Sequence, residues 1–201
     1  MKDACTEGAG NPMKPNRTAA GFSMTELVLV VAVLSILVSF AMPSVMQAYR
    51  GYELDGAATR VAEVLRLTKF EAIRRNNTIN CLIQTTAASS SIWTDSNGDG
   101  IEQASEHQAR LSGGINLAAG APPNSGGLAA SVGVGVLTVL TGPVAAVTFD
   151  ARGAVNPPAV YVLYIQYPAI QGAGSRAVVL LPSGSVQVWK ASANGGWVLY
   201  S

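Results

Sequence analysis

Residues 21–42 read GFSMTELVLVVAVLSILVSFAM, an apolar run interrupted only by hydroxyl residues and one acid, Glu26. The 21 residues from 22 to 42 cover about 30 Å as a helix, the thickness of a bilayer's hydrocarbon layer. A carboxylate inside such a layer is costly, so it marks a function and needs a partner. A conventional secretory signal places cations just ahead of its apolar core and a small-x-small cleavage site behind it. Here the small residues Ala19, Ala20 and Gly21 come first, and Pro43 leads into a polar helical pattern without an A-x-A site. A cut would therefore fall ahead of the hydrophobic stretch.

The chain has 201 residues, 49% hydrophobic and only 12% charged, a balance shifted towards membrane attachment or surface assembly. That length suits one domain plus an additional element. Beyond residue 78, Arg110, Arg152, Arg176 and Lys190 stand against Asp95, Asp99, Glu102, Glu106 and Asp150. Nucleic-acid affinity rests on clustered cations, so composition argues against a strong polyanion binder. Of the two cysteines, Cys5 and Cys81, only Cys81 survives removal of the N-terminal segment, which rules out an intramolecular disulfide. Its alternation with Ile79 and Ile83 reads as a small core residue rather than a reactive thiol.

Gly21-Phe22-Ser23-Met24-Thr25-Glu26-Leu27, followed by an apolar helix, resembles the class III signal of type IV prepilins and type II secretion pseudopilins. The resemblance implies that a prepilin peptidase cuts after Gly21 and methylates the new amine of Phe22. Glycine suits such a cut because the backbone can approach a protease closely. Pro43 stands where the family has a helix-kinking proline. Glu26 becomes the fifth residue of the processed chain, and the resemblance implies that it meets the N-terminal amine of a neighbouring subunit in a filament. A buried charge requires an opposite one, and that amine supplies it. The competing reading, a carboxylate snorkelling to the headgroups, leaves Gly21 and the reversed signal order unexplained. Lys14 and Arg17 are then expected to hold the leader at the cytoplasmic face, and Met13 offers a second start with a nine-residue leader.

Beyond Pro43, Leu54, Ala58, Val61, Leu65, Thr68 and Ala72, with Val64 and Ile73 alongside, recur at the spacing of an amphipathic helix. Arg74 and Arg75 suit its C-terminus before the stop signal Asn76-Asn77. One long helix is therefore expected from 22 to about 75. Alternation marks strands in TINCLIQ (78–84), VTFDARG (147–153), YVLYIQY (161–167), RAVVLLP (176–182), SVQVWK (185–190) and GWVLYS (196–201). Turn signals at 182–184 and 193–196 predict an antiparallel meander whose apolar face the helix covers. The Gly- and Ala-rich stretch 113–136 reads as a long loop with one weak strand.

The phrases VAEVLRLTKFEAIRRNNTINCLIQ, VTFDARGAV and VVLLPSGSVQVW resemble the GspH/FimT branch of pilin-like proteins, which comprises minor pseudopilins and minor pilins. The fold expected is α+β and pilin-like, a long N-terminal helix packed on an antiparallel β-sheet head. Four segments follow: a leader at 1–21, a transmembrane and assembly helix at 22–42, an amphipathic helix at 43–77 and a β-rich periplasmic head at 78–201. The function implied is that of a structural subunit, assembled with other pilins or pseudopilins from the inner membrane into a type IV pilus or type II secretion pseudopilus.

Four features are weighed against a purely structural role. Asp95, Asn97, Asp99 and Glu106 match D-x-[DN]-x-[DN]-G-x5-E, the spacing of oxygen ligands for Ca²⁺. The strand-like SSSIW before them, and Glu102 where a calcium hand has an apolar residue, favour a hairpin of good turn formers instead. His107, the sole histidine, has no catalytic motif around it, so no enzyme is expected and a polar strand-edge role is assigned. A second function class is a pilus-associated binding module for DNA uptake or adhesion. The basic G-R-x-R element of DNA-uptake relatives corresponds here to Gly184-Ser185-Val186-Gln187, with only Arg176 and Lys190 nearby. Trp93, Trp189 and Trp197 sit in strand patterns, where packing is the expected role.

Overall fold

The structure, a computed structural model, describes residues 21–118, 120, 122, 127–140, 142–170, 174–192 and 196–201. The expected leader up to residue 20, with Cys5, Met13, Lys14 and Arg17, lies outside them, as does the turn at 193–195. The chain divides into two units between Pro43 and Ser44. Helix α1 is assigned over Met24–Arg75, with Pro43 inside it.

In the first unit every described residue is exposed, and α1 contains a window of mean hydropathy 2.5, long and apolar enough to cross a membrane. A helix is the local solution because it satisfies its own backbone hydrogen bonds without water. The hydroxyls follow the same rule. Ser35 Oγ donates to Val31 O and Ser39 Oγ to Ser35 O, each at 2.8 Å.

In the second unit α1 buries Leu54, Ala57, Ala58, Val61, Ala62, Val64, Leu65, Thr68 and Ala72. This is the expected stripe, widened by small alanines that admit close packing. Ile73, expected beside it, is 42% exposed. The helix ends as Asn76 takes a left-handed φ of 49°. Asn77 N donates to Ala72 O and Asn76 N to Ile73 O, the paired bonds of a Schellman cap.

Among the described residues the head contains two sheets rather than one. The first comprises β1 (Ile79–Thr85), β2 (Ser90–Asp95), β3 (Gln108–Leu111), β6 (Ala145–Phe149) and β7 (Val155–Asn156), in the order β3-β2-β1-β6-β7. The second comprises β4 (Asn116–Leu117), β8 (Tyr161–Gln166), β9 (Ser175–Leu180), β10 (Val186–Ala191) and β11 (Trp197–Leu199), in the order β11-β10-β9-β8-β4. A short β5 (Thr138–Val139) adds parallel to β8. The C-terminal strands β8 to β11 form the expected antiparallel meander.

The helix stripe shares one core with Cys81, Ile83, Ile92, Val147 and Phe149 of the first sheet and Leu163, Ile165, Val178, Leu180 and Val188 of the second. A second cluster, Leu128, Val162, Tyr164, Ala177, Val179, Trp189 and Trp197, fills the far face of the second sheet. Leu128 belongs to α2 (Leu128–Val132), so the stretch expected as a loop with one weak strand supplies both β4 and a helix. Strands β8 and β9 are buried on both faces, which explains their near-continuous apolar sequences.

Two turns lock the sheets together. In the turn at 150–153, Asp150 Oδ1 accepts from Arg152 N and Ala154 N at 2.8 Å. The turn at 181–184 lies against it, and Val155 N donates to Pro182 O at 2.9 Å. Lys69 of α1 reaches over to Ser183 O at 3.1 Å. Gly153 and Gly184 have φ of 79° and 72°. A Cβ on Gly184 would stand 2.0 Å from Gly153 O, and one on Gly153 would meet Ile73 and Lys69 at 2.8–2.9 Å. The phrases VTFDARGAV and LLPSGSVQVW are thus the two halves of one corner.

Gly184→Ala combines a backbone clash with a left-handed φ, each unfavourable by about 1–3 kcal/mol. The expected loss of about 3 kcal/mol lowers the melting temperature by roughly 6–12 °C. Gly196→Ala, with nothing within 4 Å of the new carbon, leaves it unchanged. Calorimetry on chains starting at Ser44 distinguishes the two.

Candidate functional site

The helix start carries the expected site residues. Gly21 and Phe22 precede α1, and Phe22 is 80% exposed. Ser23 O accepts from Leu27 N at 3.1 Å, the first intrahelical bond, which makes Ser23 the cap residue. Its hydroxyl meets that of Thr25 at 2.8 Å. Ser23-Met24-Thr25-Glu26 has the S-x-x-E spacing of a capping box, and Glu26 lies in the first turn, where an acid complements the helix dipole. That local role for Glu26 is a surface effect, worth a fraction of a kcal/mol to about 1 kcal/mol. Glu26 is exposed and forms no ion pair with any described residue. Pro43 interrupts the ladder further along, since it brings no N–H to the carbonyl of Ser39.

The loop at 95–106 uses its polar atoms on itself. Asp95 Oδ1 accepts from Gly98 N at 2.8 Å, Asn97 Oδ1 from Asp99 N at 3.1 Å, and Asp99 Oδ1 from Ile101 N at 2.8 Å. Glu106, buried, receives Ser96 N at 2.9 Å and Gln103 N at 3.3 Å on its two oxygens. Arg75 of α1 donates to Ser96 O at 2.7 Å, and Arg110 pairs with Glu102 at 2.8 Å. Among the described residues no three His, Cys, Asp or Glu side chains are grouped to hold a metal. The residue types that spell a calcium loop here serve the backbone donors of a turn.

His107 is exposed and lines a groove of about 220 Å³ with Arg60, Glu63, Val64, Leu67, Gln108 and Ala109. It immediately precedes the edge strand β3, as a strand-edge reading requires. Cys81 is fully buried, and burial pushes its thiol up to about 12 against a smaller opposing effect of the Thr68 hydroxyl. Such a thiol is inert. The tryptophans pack as expected: Trp189 and Trp197 belong to the second core cluster, with Trp197 and Tyr164 ring centres 6.0 Å apart. Trp93 is also buried, its indole N–H without a partner among the described residues.

Two polar links between helix and head were not visible in the sequence. Arg176, 2% exposed, donates through Nε to Asp55 and through Nη2 to Gly51 O at 3.3 Å. It is therefore a pin between β9 and α1, not one of the surface cations that a DNA-binding head requires. Tyr167 donates its hydroxyl to Glu53, and burial together with that carboxylate pushes the phenol up to about 12.

A family model described as type II transport protein GspH matches residues 57–184. Two crystal structures of the Pseudomonas aeruginosa type IV minor pilin FimU align with TM-scores of 0.46 and 0.44, at 16% and 15% identity. They cover 68% and 67% of this chain and 88% and 91% of their own. No curated protein matches in sequence.

Removing Asp55 strands a buried guanidinium. Asp55→Ala is expected to destabilise the head by about 3–5 kcal/mol, and adding Arg176→Met to recover much of that loss. Denaturant unfolding of chains starting at Ser44 reads both; equal stability of Asp55→Ala and the parent would refute the pin.

Proposed function

The chain belongs to the GspH family of type II transport proteins, whose members are structural subunits and not enzymes, and from that premise we propose that it is a minor pilin or pseudopilin. In this reading a prepilin peptidase cuts after Gly21 and methylates the amine of Phe22. The apolar part of α1 holds the chain in the inner membrane with its head in the periplasm. Extraction and assembly with other pilins or pseudopilins then build a type IV pilus or a type II secretion pseudopilus.

The observation that carries this reading is a bare apolar helix whose acid, Glu26, has no ion-pair partner among the described residues. Apolar side chains such as Leu29, Leu34 and Phe40, 65%, 52% and 80% exposed, are unstable in water and demand cover. Lipid covers them before assembly and neighbouring helices afterwards. Within a filament core the carboxylate loses its hydration, and an isolated charge there is strongly unfavourable. Cleavage creates the missing cation: hydrolysis of the Gly21–Phe22 amide leaves an ammonium at Phe22. The fully buried thiol of Cys81 and the self-bonded 95–106 loop are in keeping with a head that acts by shape rather than chemistry.

Glu26→Ala separates processing from assembly. The variant is expected to be cleaved normally and to appear in sheared filaments at a level lower by about tenfold or more, the equivalent of about 1.4 kcal/mol. Quantitative immunoblots of membrane and filament fractions measure this, and undiminished incorporation would remove the role assigned to the acid.

A further inference from the structure

The apolar run of the sequence ends near Met42, but the uncharged and exposed part of α1 continues further along. From Leu27 to Tyr49 there is no Asp, Glu, Lys or Arg, a stretch of 23 residues bounded by Glu26 and Arg50. As a helix it covers about 35 Å, close to the hydrocarbon layer of about 30 Å with a modest tilt. Burial changes at the same point. Every described residue through Tyr49 is exposed, Arg50 and Gly51 are half-buried, and Leu54 is fully buried by the head. Val45 and Met46, 61% and 53% exposed, are thus apolar side chains beyond Met42 that the head leaves uncovered.

Tyr49 and Tyr52 follow, 63% and 77% exposed. Three residues apart, they neighbour each other on one side of α1. Two exposed tyrosines beside the first cation after a long uncharged stretch have the chemistry of a headgroup-level anchor, the apolar ring towards the acyl chains and the hydroxyl towards water. Resting on the reading of this chain as a membrane-held subunit, we infer that Tyr49 and Tyr52 bind the lipid headgroup layer and set the depth of α1, so that hydrocarbon covers 27–48 and not 22–42.

The consequence concerns Glu26. With hydrocarbon ending near Tyr49 on one side, the opposite boundary falls at Glu26, which then lies among the headgroups, hydrated, before assembly. Phe22 and the bond after Gly21 stand outside the hydrocarbon, open to a peptidase. The acid loses water only when the helix leaves this register for the filament, so its need for a cation arises with assembly and not with membrane residence.

Nitroxide scanning of the full chain in vesicles of phosphatidylethanolamine and phosphatidylglycerol tests the anchor. Single cysteines are introduced at successive positions from 24 to 28 and from 38 to 52 in a Cys5→Ser background, the buried Cys81 remaining unlabelled. Relative accessibility to oxygen and to a nickel chelate is expected to cross from lipid to water at 49–52 and again near 26. Tyr49→Ser/Tyr52→Ser moves the first crossing by about one helical turn towards 42, whereas Tyr49→Trp/Tyr52→Trp keeps it in place. A crossing at 42–44 in the parent chain, or one that the serine pair leaves unmoved, overturns the anchor while the chain still inserts. A chain that does not insert at all overturns the subunit reading beneath it.

Discussion

The constraint on which the structure depends is that an apolar helix cannot stand uncovered in water, and that its lone acid cannot stay unpaired once it is covered by protein. The first unit exposes its side chains throughout, so its stability is not internal. It belongs to whatever surrounds the helix. Lipid satisfies the apolar side chains, and the serines satisfy themselves on the backbone one turn earlier. Glu26 is the exception. At the edge of a bilayer it can remain hydrated; between packed helices it requires a cation, and in the function proposed above cleavage after Gly21 supplies one at each new N-terminus.

The second unit solves a different problem, that of holding one helix against two sheets. Small residues, Ala57, Ala58, Ala62 and Ala72, bring the helix close, and the hydroxyls of Thr68 and Thr94 share a 2.7 Å bond where helix and first sheet meet. The buried Arg176–Asp55 pair fixes the start of the amphipathic half to β9. At its other end Lys69 and Ile73 lie over the glycine corner that joins the sheets. Because both anchors are polar or steric rather than greasy, they specify where the helix sits as well as hold it there.

Much of this was legible in the residues. The long helix, its buried stripe, the Asn76-Asn77 stop and the strands β1, β6 and β8 to β11 follow from periodicity and turn chemistry. Strands β3, β4, β5 and β7, two to four residues each, are too short for any period to declare itself. The helix α2 hides in Gly- and Ala-rich sequence because a single leucine, Leu128, carries its packing. The pairing of Arg176 with Asp55 was not legible, since nothing local reveals a partner 121 positions away. At the candidate site the order of small residues, Glu26 and apolar helix was plain, but the capping spacing of Ser23 and Glu26 and the extent of the bare helix to Tyr49 emerged only with the fold. The calcium-like spelling of 95–106 has two physical readings, because carboxylates that suit a cation also suit a row of backbone N–H groups, and here they accept from such groups.

The central claim is that the partner of Glu26 is an amine created by cutting after Gly21. Intact-mass and peptide mass spectrometry of the mature protein, purified from membranes containing an active prepilin peptidase, addresses it most directly. A chain beginning at Phe22 with a methylated amine is the expected result. A mature chain that still begins at Met1 or Met13 would leave Glu26 without its cation and contradict it.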